Sequence, residues 1–295
     1  MKDFILTTDS GMCPPYHDDI IVLQDQITDS LNHAYKDNEV NAKDIILDQE
    51  KIYKTSAPLL TDYVEEFSKI LDSGKDVIHI SLGSGISSSS VNNANMVANE
   101  LNEEYENKVH VIDSQTGSVG GTMYFERSYQ MIMNSNLSID EKVKKLEELK
   151  KKVKSFFYVP DPTGFIRSGR DNSKNNHLSQ KTLTLSSKLL KMIALKFRVD
   201  FDDDGKLYLN KIFRSNNKKG MLNMVKEIVN DNTIENYEKE LCVIGNLFQK
   251  DVDMNEIKKY LDSFGYFDQI IYSNVGNVVA PYGCNDLCGL SLIKK

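Results

Sequence analysis

The chain has 295 residues, 40% of them hydrophobic and 27% charged, with a formal net charge of −7. That is too apolar for a disordered chain and long enough for one large domain or two ordinary ones. The acidic balance, with no basic stripe, speaks against a nucleic-acid-binding surface.

No apolar run approaches membrane-spanning length, and the start, Met1-Lys-Asp-Phe-Ile-Leu-Thr-Thr-Asp-Ser10, has no signal-peptide pattern. A cytoplasmic protein without an integral membrane segment is expected. Cys13, Cys242, Cys284 and Cys288 are few and scattered, which does not suit a disulfide framework. Cys284 and Cys288 lack a nearby histidine to complete a zinc set and read as small buried residues. Tryptophan is absent while Asn, Lys, Ile and Asp are frequent, a coding bias that suggests a bacterial source.

In chain order, Phe4-Ile-Leu-Thr-Thr8 reads as a strand, with Asp9-Ser10-Gly11 as its turn, and Ile20-Ile-Val-Leu23 is a second apolar run. Residues 28–52 are polar and carry no clear periodicity. Lys54-Thr-Ser-Ala-Pro58 opens a helix in which Leu60, Tyr63, Val64, Phe67, Ile70 and Leu71 keep helical spacing, with Gly74 just past its end. The run from Val77 to Leu82 predicts a buried strand. Val91, Ala94, Val97, Ala98 and Leu101 then predict a helix. Val109-His-Val-Ile112 is the next strand and 118–133 the next helix. Ser138-Ile-Asp-Glu141 is a capping box opening a helix to about 153, and Phe156-Phe-Tyr-Val159 is a strand.

The alternation of strand and helix implies a parallel sheet with helices on its faces, and ligands in such folds collect at the carboxyl ends of the strands. Serine recurs in the turns at three of those ends.

From 161 onward the character changes. Residues 161–170 form a turn or short helix, 171–182 are polar, and 183–193 suit a helix. Asp202-Asp-Asp-Gly205 joins two strands as a hairpin. A helix over 217–230, a strand over 241–245, a helix over 253–264 and strands over 268–272 and 276–280 complete the chain. The fold class expected is α/β with two α/β domains, 1–160 with a mainly parallel sheet and 161–295 with a mixed sheet.

The segment Ser81-Leu-Gly83-Ser84-Gly85-Ile86-Ser87-Ser88-Ser89-Ser90 joins a strand to a helix. Its hydroxyls and the free N–H groups of a helix start suit one small anionic head, a carboxylate or phosphate; a flexible connector is the alternative. Thr55-Ser56 reads either as a helix cap or as part of that site. Arg167 and Arg170 either solvate a surface or offset a bound anion. His79 reads as a satisfied core residue, and His17-Asp18-Asp19 is a weak metal motif. No Walker loop, Ser/His/Asp arrangement or HExxH motif occurs.

Taken in order, these pieces resemble the DegV family of bacterial fatty-acid-binding proteins, over almost the whole chain. Thr8-Asp9-Ser10 resembles the family's TDS, and Thr55-Ser-Ala-Pro58 its TSQP. Ile80-Ser-Leu-Gly-Ser-Gly-Ile-Ser87-Ser88-Ser89 resembles ISLSSGLSGT. Val111-Ile-Asp-Ser114 resembles VIDS, and Pro162 to Arg170 the LxxLxxGGR stretch. Gly205-Lys206 and Lys211-Ile-Phe-Arg214 resemble the dGk and KvR elements.

The resemblance implies a long-chain fatty acid as ligand, with no cofactor, metal or catalytic residue. Its carboxylate would be held at the domain junction by Thr55, Ser56, Ser87 and the amides of Ser88 and Ser89, its tail in an apolar tunnel of the second domain. It further implies a carrier that presents the acid to a separate ATP-dependent fatty acid kinase, in phospholipid metabolism. Tyr282 stands where the family carries a late histidine, and Ser88 where it carries a glycine with freer φ. Two other readings stay open. One is an enzyme on a small carboxylated or phosphorylated metabolite, with Asp9 or Asp113 as base. The other is a degenerate member that binds no lipid.

Overall fold

The parallel sheet predicted from the first half forms around strand β1 (Phe4–Asp9). Its neighbours are β2 (Ile20–Leu23) and β6 (Asp76–Ser81), and β7 (Val109–Asp113) pairs beyond β6, all in parallel. The computed structural model describes residues 3–48, 50–160, 195–214, 217–230, 232–247, 251–283 and 287–295. The turn expected at 161–170, the helix at 183–193, and residues Arg167, Arg170 and Cys284 lie outside the described residues.

Side chains alternate across this sheet as strand geometry requires. Val77 joins helices α2 (Leu60–Asp72) and α3 (Ser88–Glu104) in one core, through Tyr63, Phe67, Ala94 and Val97. Leu6, Ile78 and Ile80 face the other way, into a core shared with α4 (Val119–Ile132) and α5 (Ile139–Lys150). The capping box at Ser138 and Glu141 is formed, and α5 ends at Lys150, short of the predicted 153.

Residues 28–52, unreadable by periodicity, supply part of a small antiparallel sheet in the order β4-β3-β5. Its strands are β3 (Gln26–Asp29), β4 (Ala34–Lys36) and β5 (Tyr53–Ser56), with the short helix α1 (Ala42–Leu47) between the last two. Thr55 and Ser56 therefore end a strand. They do not cap α2, whose N-cap is Leu59.

The second sheet has six strands in the order β10-β9-β8-β13-β11-β12. Strand β8 (Val153–Val159) belongs to it, antiparallel to β9 (Leu195–Phe201) and to β13 (Cys288–Ile293). β10 (Leu207–Arg214) closes the predicted hairpin, and β11 (Cys242–Asn246) pairs antiparallel with β13 and parallel with β12 (Ile270–Asn274). Phe156, Tyr158, Leu290 and Leu292 pack under α6 (Asn217–Ile228) and α7 (Asp251–Phe264). Phe157 and Val159, one residue out of phase, face the opposite way, toward α4.

Two expectations fail at the end of the chain. Residues 276–280 are not a strand: Asn277–Val279 is a 3-10 turn that runs into helix α8 (Ala280–Gly283). Gly276 at φ +96° lets the chain swing off β12 at that point. The last strand is instead β13, buried along its whole length in the middle of the sheet.

Candidate functional site

Three turns meet at the carboxyl end of the parallel sheet. Ser10–Met12, after β1, is a 3-10 turn. Residues 82–87 connect β6 to α3, and residues 114–118 connect β7 to α4. The Gly83 amide donates to the Thr116 carbonyl, and the Ser118 amide to the Gly11 carbonyl, both at 2.9 Å. Asp113 accepts from the Ser84 amide at 2.9 Å and from its hydroxyl at 2.6 Å. The serine segment is thus a fixed turn and not a loose connector. It also seats the β9–β10 hairpin: a Cβ on Gly85 would stand 2.1 Å from the Gly205 carbonyl oxygen, so only glycine fits.

Beneath Asp9 lies a buried network. The Asp9 carboxylate accepts from Tyr63 Oη at 2.8 Å, Ser81 Oγ at 3.0 Å and the Leu82 amide at 2.8 Å. His79 Nε2 approaches it to 3.3 Å while Nδ1 pairs with Thr7 Oγ1 at 2.9 Å. Burial pushes the Asp9 pKa up, but the His79 charge and these donors outweigh it and hold the carboxyl below its usual range. Asp9 and His79 are therefore spent inside the protein.

A cavity opens beside the turns and encloses about 770 Å³, open mouth included. One end is polar, with Gly11, Asp25, Thr55, Ser56, Ser87, Ser118 and Tyr282. The rest is apolar. Phe157 and Val159 of β8, Val199 and Phe201 of β9, Leu207 of β10 and Leu287 line it, and Leu82, Ile86, Val278 and Val279 complete the apolar lining, with Leu82 and Val278 beside Gly11.

At the polar end, the hydroxyls of Thr55 and Tyr282 are 2.7 Å apart, and the Thr55 amide donates to Tyr282 Oη at 3.3 Å. Ser87, the N-cap of α3, has its hydroxyl within 3.1 Å of Ser89 Oγ, and Ser90 Oγ donates to it at 3.0 Å. No side chain caps the first amides of α3. Ser88 and Ser89 are exposed and do not line the cavity. Ser88 begins the helix with a negative φ, so serine in the glycine position brings no backbone strain.

Of the residues named from sequence, Thr55, Ser56, Ser87 and Tyr282 share this cavity. Asp25 was not anticipated. It follows β2 and sits one residue before the Gln26–Ser56 pair of β3 and β5. The Gly11 amide and Ser10 Oγ donate to its Oδ2 at 2.7 and 3.1 Å. Burial, then the charges of Asp9 and Asp37, hold its pKa well above the ordinary carboxylate range, although the Gly11 amide pulls the other way. Its one sequence signal is a charged residue two positions after the apolar run 20–23.

The weak metal motif dissolves. His17 stacks on Tyr129, ring centroids 3.8 Å apart, with Nε2 on Glu126 at 3.2 Å, while Asp19 accepts from Tyr129 Oη. Among the described residues no group of His, Cys, Asp and Glu is placed to hold a metal ion. No helix among them is long and apolar enough to cross a membrane.

The family model described as "Uncharacterised protein, DegV family" matches residues 17–295. The chain belongs to the DegV family. A DegV domain-containing protein of Clostridium acetobutylicum is 30% identical over 213 residues, 69% of each chain. Among solved structures, a fatty-acid-binding DegV family protein of Thermus thermophilus superposes with a TM-score of 0.81 at 18% identity, covering 100% of both chains. The Fak B3 protein of Streptococcus pneumoniae, solved loaded with linoleic acid, gives a TM-score of 0.79 at 17% identity, again over 100% of both chains. The chain thus has the DegV fold, with a parallel sheet and a mixed sheet among the described residues.

Proposed function

We propose that this DegV protein binds a long-chain fatty acid in the cavity between its sheets. The observation that carries this reading is the polarity of the cavity: a hydroxyl-lined end on Thr55, Ser56, Ser87 and Tyr282, continued by an apolar wall from β8, β9 and β10. The carboxylate lies at the hydroxyl end, beside the open amides of Ser88 and Ser89 at the start of α3. The acyl tail lies along Phe157, Val159, Val199, Phe201 and Leu207. Burying it contributes about 0.8 kcal/mol per CH₂, so the tail sets affinity and the hydroxyls set orientation.

The two α/β domains, 1–160 and 161–295, divide this work. The first supplies the anion-binding turns and the second most of the acyl wall, which Phe157 and Val159 complete from β8, a strand of the mixed sheet although it precedes residue 161. Arg170 is assigned to offset the head-group charge, by the family motif it completes. In the cytoplasm the protein acts as the carrier subunit that presents the acid to a separate ATP-dependent kinase. That the Streptococcus pneumoniae neighbour is named for a fatty acid kinase supports this part of the reading. The protein itself is not catalytic: Asp9 and Asp113, the carboxylates weighed as bases, are each engaged by two or more donors that hold the turns.

The test is solvent extraction of the purified protein followed by mass spectrometry. A stoichiometric fatty acid is expected. An empty protein that takes up neither palmitate nor oleate would overturn the reading in favour of a member without lipid.

A further inference from the structure

Among the described residues, the polar end of the cavity contains one ionisable carboxyl, and it is misplaced for a site that takes an anion. Asp25 is 2% exposed, and what it exposes faces the cavity. Its Oδ2 is committed to the Gly11 amide and Ser10 Oγ. Its Oδ1 takes no hydrogen bond from any described residue. The residue after it, Gln26, pairs with Ser56 in the β3–β5 register, and Thr55, the neighbour of Ser56, carries the Tyr282 contact.

We infer that Asp25 keeps its proton in the loaded protein and donates it, from Oδ1, to the carboxylate of the bound acid. The inference rests on the fatty-acid reading above and adds a head-group residue to it. Two ionised carboxylates side by side in this cavity would repel each other, whereas a carboxylic acid facing a carboxylate makes a charge-assisted O–H···O⁻ bond, about twice as strong as a neutral one.

The groups around Asp25 favour the protonated form. Asp9 at the end of β1 and Asp37 after β4 are acidic neighbours whose charges act on it. Cys13, beyond the 3-10 turn, and Tyr63 on α2 feel the Asp25 charge in turn and are themselves pushed up, burial leading in both. Tyr282 on α8 faces the same cavity as a hydroxyl. The His79 imidazole is directed at Asp9. Oδ2 already accepts two hydrogen bonds, which leaves Oδ1 as the atom to carry the proton.

Dodecanoate and dodecanol are suitable probes, because the acid is ionised throughout pH 6–9 and the alcohol never is. Wild-type affinity for dodecanoate is expected to fall as pH rises, approaching tenfold per pH unit once free Asp25 has lost its proton. Dodecanol affinity should change less than threefold. Infrared spectra of the dodecanoate complex at pH 7 should contain a protonated-carboxyl band that Asp25→Asn removes. Asp25→Asn should also flatten the pH profile, since its amide can donate where the acid did. Absence of that infrared band overturns the proposal. So does a tenfold or greater gain in dodecanoate affinity in Asp25→Asn at pH 7, because an ionised Asp25 would have been repelling the ligand. Failure of wild type to bind dodecanoate or any longer fatty acid at any pH is a separate result and counts against the fatty-acid reading itself.

Discussion

Tyr282 and Thr55 come from distant parts of the chain and meet at 2.7 Å, hydroxyl to hydroxyl, in the lining of the cavity. Because the Thr55 amide already donates to Tyr282 Oη, a consistent arrangement has Tyr282 donate to Thr55 Oγ1. The Thr55 proton is then left for a head group. Tyr282→Phe should lower stability by about 1 kcal/mol, the net worth of one hydrogen bond, and weaken fatty-acid binding by about fivefold. Thermal melts and equilibrium binding on the same preparations check both.

Removing the two hydroxyls carried over from the family motifs tests the head-group assignment directly. Thr55→Ala combined with Ser87→Ala should weaken carboxylate binding about tenfold or more, on roughly 1 kcal/mol per lost bond. The fold should persist, since each side chain leaves the surrounding backbone paired. Unchanged affinity by native mass spectrometry would sink the assignment.

The tail wall should measure chain length. Val199→Phe places extra volume beside Phe157 and Phe201. Shorter acids should then displace longer ones, each CH₂ lost from the wall forfeiting about 0.8 kcal/mol. Competition between acids of graded length, read by mass spectrometry, gives the shift in preference. An unaltered preference would mean that the tail runs elsewhere.

Asp25 also makes a prediction for the unliganded protein. Its pKa is raised on folding, so the folded state holds more protons than the unfolded state between the unfolded value near 4 and the raised one. Its contribution is therefore favourable below that window and is lost as pH rises through it. Asp25→Asn should raise the melting temperature more at pH 8 than at pH 5. An equal effect at both would contradict the raised pKa.

Gly85 offers a mechanical test. A methyl group there meets the Gly205 carbonyl, backbone against backbone, and neither side can swing away as a side chain would. Gly85→Ala should lower stability by about 1–3 kcal/mol, as overpacking does. It should also weaken fatty-acid binding, because the hairpin that carries Phe201 and Leu207 must move off the serine turn.

Much of this architecture could be read before the structure. The helical spacing of Tyr63, Phe67, Ile70 and Leu71, the capping box at Ser138 and Glu141, and the turn ending in Gly205 are local signals, and each formed where expected. What failed was set at long range. Cys288-Gly-Leu-Ser-Leu-Ile293 is buried on both faces and so has no polar alternation to mark a strand. Gly289 looks like a breaker, yet it is there because α4 packs so close that a Cβ would lie 2.5 Å from Val119. The hydroxyls at Thr55, Ser56 and Ser87 were legible because family motifs carry them. Asp25 was not, since nothing in Leu23-Gln-Asp25-Gln shows that its carboxyl turns inward toward Ser10.

The place of β13 has a consequence for how the protein is made. It is synthesised after every other strand of its sheet, yet it lies between β8 and β11. Until residues 288–293 leave the ribosome, those two strands each present a long unpaired edge, the kind of surface that recruits other chains. The sheet behind the tail wall therefore closes in a single late event, when one short segment slides into a slot that has been waiting for it. A chain interrupted before residue 288 would carry a finished parallel sheet and an open, adhesive second one.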